Sequence, residues 1–206
     1  MKRSIPGILS LFIISTSFAN SSSQSVIPHP VGSCYGGGVV FYVNKEPNPT
    51  AGRQGLIAAL QDVPDTQLNW DPSGNTEVKG TSSSYFTGKN NTANILNTIN
   101  DIPNPGNKTW PAAQAASEYT TSETCPTCTS WYLPSQDELA TLYFQSTNFK
   151  GFWTNPSCTG TSPSPQLYWS STQFESNTAW YVDFNSGRVL YYPTVGPFSV
   201  RAVRAF

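Results

Sequence analysis

The 206-residue sequence predicts an α+β domain in which antiparallel strands are joined by two to three short helices and long loops. Three observations carry that expectation. Trp180, Val182 and Phe184 alternate with Tyr181 and Asp183, a period of two that sends successive side chains to opposite faces of a half-buried strand. Ser135 and Glu138 stand at capping-box spacing ahead of Leu139, Leu142 and Tyr143, an i, i+3, i+4 apolar stripe that makes a helix. Near the start, Gly36-Gly37-Gly38 leads into a β-rich run at 39–43, and residues 55–60 answer it as a second strand after a Pro/Gly turn.

The elements follow in chain order. Lys2 and Arg3 precede the apolar run Ile8-Leu9-Ser10-Leu11-Phe12-Ile13-Ile14, and Ser17-Phe18-Ala19 supplies a small-x-small cleavage pattern. Residues 1–19 thus read as a secretory signal peptide cut between Ala19 and Asn20. The run is shorter than the roughly 20 apolar residues that cross a bilayer, and no later stretch comes closer, so no membrane span is expected. The residue immediately after the cut is Asn20 and not Cys, which leaves lipid attachment there unsupported. Residues 20–31, rich in Ser and Pro and without periodicity, read as a flexible arm, and the domain occupies 32–206.

Within the domain, residues 62–108 are dominated by Asn, Thr, Ser, Gly and Asp and read as loop. One short helix interrupts them at 91–99, where Ile95, Leu96 and Ile99 share a face. A second helix opens at Pro111, a favoured first-turn residue, and runs to Tyr119. The capping box opens the third. Asn185-Ser186-Gly187 then turns the alternating strand back through residues 188–192, Gly187 being free to take positive φ, and residues 199–206 form the last strand. Neither a heptad pattern nor a Gly-X-Y repeat occurs, which excludes a coiled coil and a collagen stalk.

Charged residues are 11% of the chain and aromatics 13%, too aromatic a composition for disorder. Loss of Lys2 and Arg3 with the leader leaves 9 basic against 12 acidic residues, a balance of −3. No basic surplus remains to displace counterions from a polyanion, so nucleic acid is not an expected partner.

Four cysteines, Cys34, Cys125, Cys128 and Cys158, follow the leader into an oxidising compartment, where they suggest two disulfides in one of three connectivities. The sequence does not choose among them. Local proximity favours Cys125–Cys128, leaving Cys34–Cys158 to tie the start of the domain to its last third. On loop entropy the long bridge contributes about 5 kcal/mol and the short one about 2. Cys125-Pro126-Thr127-Cys128 has redox spacing but does not open a helix after a strand, so a structural bridge is the expectation. A second CxxC or a nearby His to complete a zinc site is lacking.

Four motifs occur in a familiar order: Trp131-Tyr132-Leu133-Pro134-Ser135-x-x-Glu138-Leu139; Tyr168-Trp169-Ser170-Ser171-Thr172; Ala179-Trp180-Tyr181-Val182-Asp183-Phe184-x-x-Gly187; and Val200-Arg201-Ala202-Val203-Arg204. With the opening at 35–43 and 55–59, they make residues 32–206 resemble the Lcl C-terminal domain family, named for the Legionella collagen-like adhesin. The related Fibrobacter succinogenes major paralogous domain is similar. The resemblance implies a C-type-lectin-like fold of curled antiparallel sheets, with Trp131, Pro134, Ser135, Glu138, Leu139, Trp169, Trp180, Gly187 and Arg204 as structural motif positions. It further implies bacterial, secreted or surface-displayed, non-catalytic binding, with sulfated glycosaminoglycan as the namesake's ligand and a trimer as its assembly. This chain departs from that namesake in lacking the collagen-like region and in its acidic balance, so an anionic ligand would need a local patch.

Several residues invite a chemical reading. Glu46-Pro47-Asn48 copies the sugar-binding triplet of mannose-type C-type lectins. It follows the first strand, however, and Asn69-Trp70-Asp71 is in the wrong order for the companion motif, so a turn is expected and no metal or cofactor. Arg201 and Arg204 fall on opposite faces under strict alternation. We expect Arg204 to form an internal ion pair with Glu138 or Asp183, and Arg188 and Arg201 to lie on a solvated face able to contact a glycan or anion. Trp70 and Trp110 join the aromatics that sugars stack on elsewhere, but most tryptophans, Trp131, Trp169 and Trp180 among them, are expected in the core. Tyr191, Tyr192 and Trp153, near turns, are the surface candidates. His29, the sole histidine, sits in the arm, which argues against a Ser-His or Cys-His relay.

The functional expectation is a secreted, non-catalytic, adhesin-like module at the cell surface or beyond, with the periplasm as the other location. Its partner is an extracellular glycan or host-surface protein, bound through loops and the outer face of the C-terminal hairpin. A self-assembling structural surface protein is the first alternative. A carbohydrate-active enzyme with paired carboxylates, which no motif recommends, is the second.

Overall fold

The computed structural model describes residues 29–64, 67–101, 110–120, 128–149, 151–158, 160–164 and 166–206. The leader, its cut between Ala19 and Asn20, most of the arm and Cys125 lie outside the described residues. His29, in the last part of the arm, stacks on Tyr35 at 3.6 Å and meets the ring of Phe206.

Two antiparallel sheets and three helices form the structure. The first sheet contains β1 (Cys34–Tyr35), β2 (Gly38–Val43), β3 (Gly55–Ala59) and β7 (Val203–Ala205), in the order β1-β2-β3-β7. Its register pairs Val39 with Ala58, and Leu56 with Ala205, so the two ends of the domain are neighbours in one sheet. The second sheet, β4-β5-β6, contains β4 (Leu167–Glu175), β5 (Thr178–Asp183) and β6 (Val189–Pro193). A parallel bridge between Tyr168 and Ser199 joins the two sheets, with Trp169 N–H donating to the Ser199 carbonyl at 3.1 Å. Only residues 203–205 of the expected last strand pair regularly; Ser199 instead serves as the seam.

Both faces of the sheets are buried, each in its own cluster. On one side, Val40, Ile57, Ala59, Trp169, Ala179 and Tyr181 meet Trp70, Trp110 and the helix α2 (Pro111–Glu118), which presents Ala112, Ala113 and Ala116. Trp70 and Trp110 cross edge to face at 5.7 Å. On the other side, Val39, Phe41, Leu56, Ala58, Tyr168, Val182 and Phe184 pack against Leu139 and Leu142 of the helix α3 (Gln136–Asn148). This double coverage changes the reading of β5. Its alternation points Val182 and Tyr181 to opposite faces, but both are buried, because Trp169 and Phe198 cover the side expected to be wet. A period of two records which face a residue takes, and says nothing of what lies beyond that face.

The capping box forms as its spacing predicts. Ser135 accepts from Glu138 N–H, and the Glu138 carboxylate returns to Ser135 N–H at 2.9 Å. Ahead of the cap, Tyr132 bridges to Val203, so the Trp131–Ser135 segment fastens α3 to the first sheet. The helix expected at 91–99 is longer, α1 (Gly88–Asp101), and it starts against Glu138: Gly88 N–H donates to that carboxylate, and a Cβ at Gly88 would run into it. The hairpin turn is as expected, with Gly187 at φ +77° donating to the Asp183 carbonyl at 2.7 Å.

Cys34 and Cys158 are bridged with their Cα atoms 5.6 Å apart. Cys128 is also disulfide-bonded. The bridge at Cys158 clamps the turn after α3 onto β1 across a separation of 124 residues.

Candidate functional site

The arginine roles are exchanged relative to expectation. Arg201, a surface candidate, is 0% exposed. Its Nε pairs with Asp62 at 2.6 Å, its two terminal nitrogens donate to the carbonyls of Ala59 and Thr161, and its guanidinium lies 4.9 Å over the ring of Trp153. Tyr168 hydroxyl donates to the second Asp62 oxygen at 2.8 Å, and burial together with that carboxylate raises its pKa well above the ordinary value. The Arg201 guanidinium is thus locked inside the fold, while its partner Asp62 reaches the surface. Arg204, expected in an ion pair with Glu138 or Asp183, instead lies over Trp131 and donates to the Thr129 carbonyl. Burial lowers its pKa.

The proposed partners are occupied otherwise. Glu138 is fully buried among backbone amides, and burial pushes its carboxyl up to about 7. Asp183 sits in the hairpin turn, where the Ser186 hydroxyl foremost holds its carboxyl below the ordinary value.

Trp153 is a second correction. Only 5% exposed, it lies between Phe152 and the Arg201 guanidinium and offers no face to a ligand. Trp180 departs the other way. Trp131 and Trp169 are core residues as expected, but Trp180 is only part-buried, its ring neighbours being the exposed Phe174 and Tyr191. The structure does not gather Arg188, Arg201, Tyr191, Tyr192 and Trp153. Arg188 is exposed by the hairpin turn, about 10 Å of strand from Tyr191. Tyr191 and Tyr192 are 52% and 47% exposed and point to opposite faces, Tyr192 resting on Phe198 and Tyr181.

What the structure does assemble is an aromatic group at the open end of the second sheet. Tyr191 lies opposite Trp180 in the β5–β6 register and meets it edge to face at 5.6 Å. Phe174, 44% exposed, stacks on Tyr191 with centroids 4.3 Å apart and 18° between planes, and its edge meets Trp180 at 5.2 Å. Phe174 also lines a groove of about 560 Å³ between the end of β4 and residues 77–81. The remaining lining includes Glu77, Lys79, Thr81, Gln173 and Glu175.

The groove is held rigidly. Gln173 accepts from Val78 N–H at 2.7 Å and donates to the Thr76 carbonyl at 2.7 Å. Asn94 of α1 holds the Gly80 carbonyl at 3.1 Å, and the Asp71 carboxylate gathers Ser73 and the Thr76 amide. Register irregularities between Trp169 and Glu175 let β4 leave the ladder and aim Phe174 outward. The sequence reading missed Phe174 and the groove wall because residues 62–108 carry no periodicity, and their order comes from Gln173 about 95 residues away. Glu46, at the start of the dismissed calcium triplet, takes part in a polar turn with Asn44 in the β2–β3 loop. Among the described residues no group of three His, Cys, Asp or Glu stands close enough to hold a metal, and no helix is long and apolar enough to cross a membrane.

The family model of the Lcl C-terminal domain matches residues 61–204. No curated protein matches the chain. Among solved structures, a fimbrial protein from Bacteroides ovatus ATCC 8483 is similar, with a TM-score of 0.59 at 16% identity, over 86% of this chain and 45% of that one. The chain thus spans less than half the length of that fimbrial protein.

Proposed function

Since the chain belongs to the Lcl C-terminal domain family, we propose that it is a secreted or surface-displayed, non-catalytic, adhesin-like module that binds an extracellular glycan or host-surface ligand. The observation that carries this reading is the exposed Phe174–Tyr191 stack, with part-buried Trp180 against it, beside a pinned polar groove. A structure whose other tryptophans are used for packing leaves these two rings uncovered at one end. Amphipathic rings on a rigid sheet suit the apolar face of a sugar, and recognition held by strands and backbone hydrogen bonds needs little reordering on binding. The C-type-lectin-like description belongs to the same reading, supported by the pairing of β3 with β7 and by the long excursion between them. Non-catalytic binding is favoured by His29, whose ring stacks on Tyr35 and not beside an acid or nucleophile.

A glycan array probed with and without EDTA, and again at high salt, tests it. Binding that persists in EDTA is the expected result, and signal lost only in EDTA would restore a calcium site. Absence of any signal would reject the glycan reading.

The fimbrial neighbour favours a second reading, self-assembly, and β6 offers an open edge on which another chain could pair. A concentration-independent monomer on size-exclusion chromatography would oppose it.

A further inference from the structure

The groove beside Phe174 contains a specific balance of free groups. Glu77, Lys79 and Glu175 line it, all three are exposed, and none of their side chains is engaged by another described residue. Of the other polar members, Gln173 and Thr81 are already committed, the amide to Val78 and Thr76, the hydroxyl accepting from the Gln173 N–H, and Ser176 adds a hydroxyl. The chemistry offered to a ligand is therefore two carboxylates, one ammonium, one hydroxyl and the ring of Phe174 backed by Tyr191.

We propose that this groove is a subsite for an uncharged pyranose of an extracellular glycan, and that sulfated sugars are excluded from it. The inference rests on the glycan-binding reading and names its site and ligand class. Carboxylates accept hydrogen bonds from sugar hydroxyls, the Lys79 ammonium donates to a ring or hydroxyl oxygen, and the Phe174 ring takes the C–H face of the sugar. A sulfate would place its negative charge beside an excess of carboxylate over ammonium, in a chain whose balance without the leader is already −3. The arginines that could have recruited a sulfate are elsewhere: Arg201 is sealed in the interior, Arg204 lies over Trp131, and Arg188 is at the far end of the hairpin. Phe174 is the positioned contact, since the break in β4 pairing directs it outward and the Tyr191 stack fixes its plane.

Isothermal titration of the full secreted chain with neutral gluco- and galacto-oligosaccharides, and with a heparin hexasaccharide, decides the matter. Neutral oligosaccharides should bind, with an affinity that changes by no more than about twofold between low and high salt. Phe174→Ala and Tyr191→Ala should each weaken that binding about tenfold, the loss expected of one ring contact and its support. Phe174→Tyr, which preserves the stack, should retain it and serves as the guard against a folding defect. Glu175→Gln should weaken neutral binding without creating heparin binding. Preference for heparin, or neutral binding indifferent to Phe174→Ala and Tyr191→Ala in folded protein, overturns the subsite while leaving glycan binding elsewhere on the module intact. A chain that binds neither class overturns the glycan reading together with it.

Discussion

The two sheets are built from the same kinds of residue and finished differently. The sheet β1-β2-β3-β7 is closed by contacts between distant parts of the chain. The Cys34–Cys158 bridge sits at its β1 edge, Tyr132 pairs with Val203 at the other, and Arg201 is held beneath β3 by Asp62, Ala59 and Thr161. The sheet β4-β5-β6 is buried along β4 and β5, by α3 on one face and by Trp70, Phe198 and the α1–α2 side on the other. Toward its far end β6 becomes exposed, and Phe174, Trp180 and Tyr191 form a surface group. Large aromatics left uncovered cost solubility and add little stability. Phe144, Phe149 and Tyr35 are also exposed, but Phe174 and Tyr191 are set apart by stacking on each other beside a groove, which is why the proposed recognition surface is placed there.

That contrast can be broken first at Arg201. Arg201→Ala leaves Asp62 and two carbonyls without their partner and empties the space over Trp153, so it should cost about 3–5 kcal/mol in chemical unfolding. A loss below about 1 kcal/mol would show the lock to be dispensable. Next, joint replacement Cys34→Ser and Cys158→Ser should lower stability by about 2–5 kcal/mol, the loop-entropy value being the upper end, measured against the intact protein under oxidising conditions.

A smaller and pH-bound effect belongs to Glu138. Its carboxyl is raised from 4.5 to about 7 by burial, so over that interval the folded protein keeps a proton that the unfolded chain releases. Its stabilising contribution is complete below about pH 4.5 and is lost as pH rises through about 7. Glu138→Gln can accept from only one of Ser135 N–H and Gly88 N–H, so it lowers stability throughout, but it does not ionise and should flatten the fall in stability with pH across this window. Smallest of all, Tyr191→Ala should change stability by at most about 1 kcal/mol, because only stacking at an exposed edge is lost.

The sequence disclosed what is encoded locally. The capping box at Ser135 and Glu138, the helix opening at Pro111, the hairpin at Gly187 and the α+β class all depend on neighbours within a few residues, and the structure contains each. Features set by distant partners were misassigned. Nothing around Arg201 or Arg204 distinguishes them, and the choice is made by Asp62, 139 residues earlier. Trp153 reads as a turn residue because an expected Cys34–Cys158 bridge does not by itself say that the loop turns Trp153 inward onto Arg201. Strand β4 carried a motif but no clean alternation, since its pairing is interrupted before Glu175, and Phe174 went unnoticed with it. The candidate site was half legible: Tyr191 was singled out, while Phe174 and the wall at residues 77–81 appear only once Gln173 has folded that loop against β4.

The most direct test pairs affinity with stability in the same variants. Phe174→Ala and Tyr191→Ala should each weaken binding of the neutral oligosaccharide about tenfold, while leaving the thermal unfolding midpoint within a few degrees of wild type. Variants that bind as well as wild type yet unfold many degrees earlier would place these rings in the frame and contradict a division between a sealed sheet and an open, ligand-facing one.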